Sequence, residues 1–308
     1  MGKQDELSFF AAMRLLYYVV YGFFYLLSLL PWRVIYILSD FCYLLIYYVF
    51  GYRKQIVMQN ISRAFPDKTE AEKIQIAKEF YRNFTDSFIE IIKLLTVSKK
   101  DFRKRFSSNV EVMNDLYDHV PSVALVSGHF FSWEFVNYQV ALEGKFNFLV
   151  VYMPVANKAF DKLIYKLRSR FGSNMISATN YRAEFLKHAK TKYSMGLVAD
   201  QAPGNPDNAY WVPFFGKLTP FVKGPEKSSK SANSAVIFVD FQKPKRGFYH
   251  FEYTLITTEP KNFPEGGITK EMVRMIEEGI RKEPANYLWS HRRWKHEFDE
   301  EKHRKLVV

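Results

Sequence analysis

The chain has 308 residues, 48% hydrophobic and 25% charged, which fits one large globular part with or without an appendage. Its one cysteine, Cys42, excludes a disulfide framework within the chain and any metal site built from several cysteines. The net charge of +12 belongs to residues 53–308, because the charges of the first 52 residues cancel, and it favours an anionic partner such as phospholipid headgroups, nucleic acid or an acidic protein.

Two apolar stretches come first. Residues 15–32 carry no charge and, as a helix, extend about 27 Å, close to the thickness of the hydrocarbon core. Residues 34–50 are interrupted by Asp40, and both stretches are rich in tyrosine, which prefers the membrane interface. We expect a membrane-anchoring helical segment over residues 1–52, either one span with an interfacial helix or a shallow hairpin in one leaflet; a buried hairpin of a soluble domain is the third alternative. Arg53 and Lys54 favour a cytoplasmic body.

Residues 53–308 are expected to form one catalytic domain. Thr69 and Glu72 have the spacing of a capping box, and a helical apolar pattern follows them. Strand-like and helical runs then alternate, which predicts an α/β fold: a mixed, mostly parallel sheet with helices on both faces. The strands are expected at 122–127, 146–152, 193–199, 235–241 and 248–256, and helices at about 158–171, 181–190, 224–233 and 269–282.

A histidine, His129, follows the apolar run 122–127 directly, and Glu134 comes five positions later. In a sheet of this kind, ligands bind beyond the carboxyl ends of the strands. We expect Glu134 to hold the imidazole in one tautomer, so that His129 acts as a general base without a protein nucleophile. The alternative is a core histidine bonded to a backbone carbonyl. His296 and Glu301 have the same spacing but lie in a charged tail with no strand before them.

Other chemistries lack their motifs in this sequence. It contains no G-x-S-x-G elbow, no H-E-x-x-H pair, and no glycine-rich phosphate or dinucleotide loop. We therefore expect no metal and no cofactor. Nucleic-acid binding is disfavoured because the basic residues alternate with acidic ones and no nucleic-acid-binding module is present.

Four blocks, in order, resemble the late acyltransferases of lipid A biosynthesis, the lauroyl and myristoyl transferases within the glycerolipid and lysophospholipid acyltransferase superfamily. They are "SGHFFSWE" (127–134), "VVYMPVANKAFDKLIYKLRSRFG" (150–172), "GLVADQAPGNPDNAYWVPFFGKLTPFVKGP" (196–225) and "EPANYLWSHRRWK" (283–295). One departure is Met153, where the family's Tyr-Arg-Pro has arginine. If that arginine contacts the donor or a phosphate, the contact is missing here or is supplied by another residue.

The resemblance implies an O-acyltransferase that moves a fatty acyl chain from acyl carrier protein, or acyl-CoA, to a hydroxyl of a lipid A precursor. It implies His129 as the base and Glu134 as its partner, in a bacterial inner-membrane enzyme whose catalytic domain faces the cytoplasm. The substrate-binding residues that it implies are Arg168, Arg170, Asp200, Gln201, Arg292 and Arg293.

Simpler roles for these residues stay open. Arg168 fits a solvated charge on a helix, and Asp200 fits a helix or turn cap. The segment 291–295 fits two roles: it could bind phosphate or the carrier, or it could lock the last helix to the sheet. Two other functions also stay open: acylation of a glycerophospholipid or ornithine lipid, and a non-catalytic protein that binds membrane surfaces through its basic body.

Overall fold

The computed structural model describes residues 3–308, with side chains from residue 15 onward except that of residue 159. The strands are β1 (Phe106–Ser108), β2 (Ser122–Ser127), β3 (Asn147–Tyr152), β4 (Asn174–Ser177), β5 (Tyr193–Val198), β6 (Ala209–Phe214), β7 (Lys217–Val222), β8 (Ala235–Lys245) and β9 (Phe248–Thr257). The α-helices are α1 (Lys3–Leu29), α2 (Trp32–Leu44), α3 (Lys54–Ala64), α4 (Glu70–Lys93), α5 (Lys99–Arg103), α6 (Glu111–Asn114), α7 (Trp133–Glu143), α8 (Lys158–Arg168), α9 (Tyr181–Phe185), α10 (Gly224–Ala232), α11 (Gly267–Lys282) and α12 (Glu300–His303).

Seven strands form the main sheet, in the order β1-β9-β8-β2-β5-β3-β4. Only β8 and β9 pair antiparallel; the other neighbours in this sheet are parallel. Every residue of β2 is buried, which requires cover on both faces of the sheet. The predicted fold class, a mixed, mostly parallel sheet with helices, is therefore confirmed. The strands β6 and β7 form a separate antiparallel ribbon.

The helix α4 connects the front of the chain to the sheet. Its predicted capping box is present, since the Thr69 hydroxyl accepts from the Glu72 amide (3.3 Å) and the Glu72 carboxylate accepts from the Thr69 amide (2.8 Å). Its side chain Asp86 is buried and accepts hydrogen bonds from Ser39 of α2 (2.7 Å) and from Lys243 at the end of β8 (3.0 Å). Polar contacts thus join α2, α4 and the sheet.

The two apolar stretches form two helices with Pro31 between them. The first apolar helical run, Leu15–Leu29, ends before Pro31, whose ring cannot continue the helix. α2 begins at Trp32 and continues into a π-helical turn, Leu45–Phe50. Within the described residues, Trp32–Phe50 is the one helix that is long and apolar enough to cross a membrane. The division of the chain after residue 52 stays a prediction.

Candidate active site

The imidazole of His129 lies at the carboxyl edge of the sheet, just beyond the central strand β2. The turn that carries it is fixed by the segment 284–291 near the other end of the chain. The Leu288 amide donates to the His129 carbonyl (3.0 Å), and the Phe131 amide donates to the Asn286 carbonyl (3.0 Å). The histidine side chain is 27% exposed, so substrate can reach it from the surface.

The partner of His129 is Asp200, which follows the neighbouring parallel strand β5. In the pairing of these strands Ser127 lies opposite Val198, so the residues two positions further on, His129 and Asp200, emerge side by side. Their Nδ1 and Oδ1 atoms are hydrogen-bonded. The Tyr287 hydroxyl donates a further hydrogen bond to the carboxylate, which is 2% exposed.

The two partners shift each other's pKa in opposite directions. Burial alone would raise the pKa of Asp200, but the His129 charge and hydrogen bonds from His129 and Tyr287 lower it to about 2. Burial alone would lower the pKa of His129, but the Asp200 charge and hydrogen bond raise it above its ordinary value of 6.5. An ionised Asp200 therefore keeps the proton of the neutral imidazole on Nδ1 and leaves a lone pair on Nε2.

The lone pair on Nε2 faces the surface. The exposed side chain of Gln201 brings its amide nitrogen to 3.1 Å from Nε2 and donates to it. Gln201 thus stands where an O–H donor would approach the base. The predicted residues His129, Asp200 and Gln201 come together at one point of the sheet edge.

The predicted contact between Glu134 and His129 is wrong. The Glu134 carboxylate is 5% exposed and accepts through Oε1 from Nε (2.7 Å) and Nη2 (2.6 Å) of Arg168, the last residue of α8. The prediction assumed that a helix begins directly after the histidine. Instead Phe130 bridges to Tyr287, and α7 starts only at Trp133, after Ser132 adopts a left-handed backbone with φ 75°. The first turn of α7 then presents Glu134 to α8.

Two of the three remaining predicted arginines, Arg170 and Arg293, make structural contacts. Arg170 donates from Nη1 to the Leu94 carbonyl beyond the end of α4 (2.7 Å). Arg293 is 1% exposed, donates to the Pro220 carbonyl (2.8 Å) and stacks 4.0 Å from the Phe221 ring centre, and burial lowers its pKa to about 10. Its contacts favour the lock between segment 291–295 and the rest of the fold. Arg292 is exposed.

Tyr287 and Asn60 are two residues of this region that the sequence analysis missed. Tyr287 bonds to Asp200 as described, and Asn60 of α3 donates from Nδ2 to the carbonyls of Trp289 and His291 (2.7 Å each). The run "NYLWSH" (286–291) indicated a buried position for Tyr287, because an apolar, aromatic stretch lies there between polar residues. Nothing in the sequence around Asn60 marks it.

Five cavities in the described part of the chain do not have His129 in their walls. One of about 970 Å³ lies between α2, α4 and the β8–β9 turn, with Asp86 and Lys243 in its wall. The sheet edge that carries His129 instead exposes apolar side chains, with Met153 69% exposed after β3 and Val198 45% exposed at the end of β5. Apolar surface is therefore available beside His129.

The structure thus places a hydrogen-bonded histidine–aspartate pair at the carboxyl edge of a mixed α/β sheet. The chain belongs to the bacterial lipid A biosynthesis acyltransferase family, whose model matches residues 3–296. It is 28% identical over 254 residues to a lipid A biosynthesis acyltransferase of Haemophilus influenzae, covering 80% of this chain and 79% of that one. It is 24% identical over 249 residues to the lipid A biosynthesis palmitoleoyltransferase of Escherichia coli K12 and to a lipid A biosynthesis acyltransferase of Shigella flexneri, each covering 79% of both chains. The protein is an acyltransferase of this membrane-associated family, and its acceptor is a lipid.

Proposed function

We propose that the protein transfers a fatty acyl chain from acyl carrier protein to a hydroxyl of a lipid A precursor, with His129 as the general base. The observation that carries the proposal is the His129–Asp200 pair, whose free Nε2 faces the surface beside Gln201. The acceptor hydroxyl takes the place of the Gln201 amide and donates to Nε2. As its oxygen attacks the thioester carbonyl, the imidazole takes the proton and Asp200 stabilises the resulting imidazolium.

No acyl-enzyme is needed in this scheme because the thioester is already activated. The ester C–O bond forms first and the carbonyl π electrons move onto the oxygen; the oxyanion then re-forms the carbonyl as the C–S bond breaks, and the proton held on His129 passes to the departing thiolate. Asp200 acts through the imidazole and is a positioning residue, whereas His129 touches the reacting oxygen.

Arg168 supplies positive charge beside the first turn of α7, where it pairs with Glu134. Both of its hydrogen bonds to Glu134 use one carboxylate oxygen, and the side chain is still 26% exposed. We propose that the guanidinium binds an anionic group of the substrate or the oxyanion of the tetrahedral intermediate. Glu134 then acts by holding Arg168 in place, which gives the glutamate a role without contact to the imidazole.

The donor proposal is supported by charge. Acyl carrier protein is strongly acidic, and this chain has a net charge of +12. We propose that the enzyme lies at the bacterial inner membrane with its catalytic part in the cytoplasm. Fractionation and protease treatment of sealed inner-membrane vesicles of known orientation test that location.

The test is transfer by the purified full-length protein to an under-acylated lipid A precursor, followed by mass spectrometry. Parallel reactions use acyl carrier protein or coenzyme A as the donor, and a glycerophospholipid or an ornithine lipid as the acceptor. We expect a mass gain of one acyl group on the lipid A precursor with the carrier-protein donor. Gain on another acceptor alone, or on none, overturns the proposal.

A matched pair of histidine variants tests the base. His129→Ala should slow transfer by 100-fold or more, since a positioned base contributes about that much. His296→Ala is the control, because this histidine also has an acid five positions on but bonds to the Pro203 carbonyl (2.8 Å). Equal activity of the two variants would remove His129 from the mechanism.

A further inference from the structure

The helices α1 and α2 each bury one face against the body and expose an apolar face. On α2 and its π-helical continuation, the buried positions are spaced by four: Ile35, Ser39, Tyr43 and Tyr47. Side chains on the other face are mostly exposed and apolar, with Ile37 67% exposed. On α1 the described half does the same. It buries Tyr17 against Leu163 of α8 and exposes Leu15, Val19, Phe23, Leu26 and Leu29.

An exposed ion pair at the middle of the apolar helix Trp32–Phe50 argues against a span. Asp40 lies midway between Trp32 and Phe50 and accepts from Arg246 (2.7 Å), and the two side chains are 53% and 37% exposed. In a membrane-spanning helix this pair would lie at the centre of the hydrocarbon core, where charged side chains are expensive. Asp86 bonds to Ser39 of α2, so in a spanning arrangement it would also lie near the centre of the hydrocarbon core.

Positive charge is concentrated at the turn between α1 and α2. The basic segment, residues 93–105, has six lysines and arginines and one acid, Asp101. Lys93 holds the turn, because its ammonium donates to the carbonyls of Ser28 and Leu30 (2.7 Å each). The Arg105 guanidinium lies 3.7 Å from the ring centre of Trp32.

Part of this charge faces a cavity of about 470 Å³. Its wall includes Trp32, Phe248, three cations, Lys93, Lys104 and Arg105, and one carboxylate, Asp101, which pairs with Lys104 (3.0 Å). Burial lowers the pKa of Lys93, the neighbouring Arg105 charge lowers it further, and the Asp101 charge acts in the opposite direction. The cations in the wall outnumber the carboxylate by two, which favours a phosphate here, and the aromatic rings suit the headgroup level of a bilayer.

We propose that the helices α1 and α2 lie in the plane of one leaflet, seated by the basic segment 93–105, whose cavity takes the phosphate of an anionic phospholipid. The inference rests on the proposed membrane location. An acidic carrier protein also attracts cations, but these cations border the apolar surface that α2 and the described half of α1 expose, and a bilayer covers a surface of that extent.

Flotation of the full-length protein tests the lipid contact without acyl transfer, so that it and the proposed function can fail separately. Vesicles of phosphatidylcholine are compared with vesicles that also contain phosphatidylglycerol, at low salt. The test variant replaces Lys99, Lys100 and Lys104 by Gln. These side chains are exposed, and the lysine that bonds to the turn between α1 and α2, Lys93, is left unchanged. Each cation near an anionic surface raises the affinity for it about five-fold, so the loss of three should weaken binding to the anionic vesicles roughly 100-fold.

The control variant replaces Lys261, Lys270 and Lys302 by Gln, which removes the same charge from the region around α11 and α12. It should bind anionic vesicles within a few-fold of the unaltered protein. Equal loss in both variants, or no loss in the test variant, overturns the lipid contact. A test variant that keeps vesicle binding but raises the KM for acylated carrier protein assigns the basic segment to the carrier instead and also overturns it.

Labelling from outside sealed vesicles tests the in-plane arrangement. In a Cys42→Ser background, single cysteines replace Arg33, beside the helix turn, or Lys302 on the body, and the chain carries an N-terminal peptide tag. A membrane-impermeant maleimide should label both cysteines equally, and protease should remove the tag. Protection of Arg33→Cys or of the tag until the vesicles are permeabilised would show a span and refute the arrangement.

Discussion

Replacement of Asp200 by Asn removes the charge that polarises His129 while keeping the size of the side chain. The fall of the Asp200 pKa from 3.8 to about 2 corresponds to on the order of 2 kcal/mol in favour of its ionised form in the folded protein. Burial opposes ionisation, and the His129 charge and the hydrogen bonds to the carboxylate outweigh it. If a similar energy stabilises the imidazolium in the transition state, its loss slows kcat roughly 30-fold.

The pH dependence of Asp200→Asn separates this role from a merely structural one. Transfer by the unaltered enzyme should rise with pH through the pKa of His129, which is raised above 6.5. Without the carboxylate, burial is left to lower that pKa, so the rising limb should move to lower pH although the plateau falls. The assay is the initial rate of transfer between pH 5 and 9, with thermal unfolding as the check on folding.

The matched control is Glu134→Gln, because Glu134 bonds to Arg168 and does not touch the imidazole. Its plateau should fall through loss of Arg168 positioning, whereas its limb should stay at the pH of the unaltered enzyme. If the limb moves in Glu134→Gln and stays in Asp200→Asn, our account of the site is wrong.

Two further predictions concern stability. Gly247→Ala places a Cβ 2.0 Å from the Tyr36 hydroxyl, at a residue whose φ is +76°. The control is Gly216→Ala, where φ is +73° but no atom lies near the new Cβ, so Gly247→Ala should lower Tm by more. Equal changes in Tm would contradict the steric argument. Asp86→Asn leaves Lys243 buried without its carboxylate and should lower the free energy of unfolding in denaturant titrations by about 3–5 kcal/mol.

A pH titration and a surface variant check the second of these predictions. Burial alone would raise the pKa of Asp86, but the charges of Lys243 and Arg246 lower it below 3.8. The contribution of Asp86 is therefore present above about pH 4 and is lost as the pH falls through the lowered value. Asp101→Asn is the control, since its pair with Lys104 is exposed and its loss should change stability far less. An equal loss in the two variants would refute the argument from burial.

The central strands could be predicted because their residues are apolar without interruption. The predicted strand 122–127 coincides with β2, and 193–199 exceeds β5 by one residue. The ribbon of β6 and β7 was missed because Pro213 and Pro220 interrupt its apolar runs. A two-stranded ribbon consists only of edges, so it tolerates proline, and its turn is made by Phe215 and Gly216, both with positive φ.

The partners of the site residues were predictable only in part. Asp200 was correctly placed at the carboxyl edge. His129 and Asp200 each lie two residues beyond the last residue of their strand, so they would have been paired once β2 and β5 were known to be neighbours. Which strands are neighbours is decided by packing of the whole chain, which a single sequence does not show. The error over Glu134 has a local cause, because a positive φ at Ser132 is not expected for serine.

The backbone around the imidazole is completed by residues that the ribosome adds about 160 positions later, since Leu288 bonds to His129. During synthesis the apolar helices α1 and α2 emerge before Asn286 and Leu288, whose backbone groups bond to the turn that carries His129. A nascent or prematurely terminated chain therefore lacks the contacts that order the turn carrying His129. These contacts form late, after the apolar helices α1 and α2 have left the ribosome.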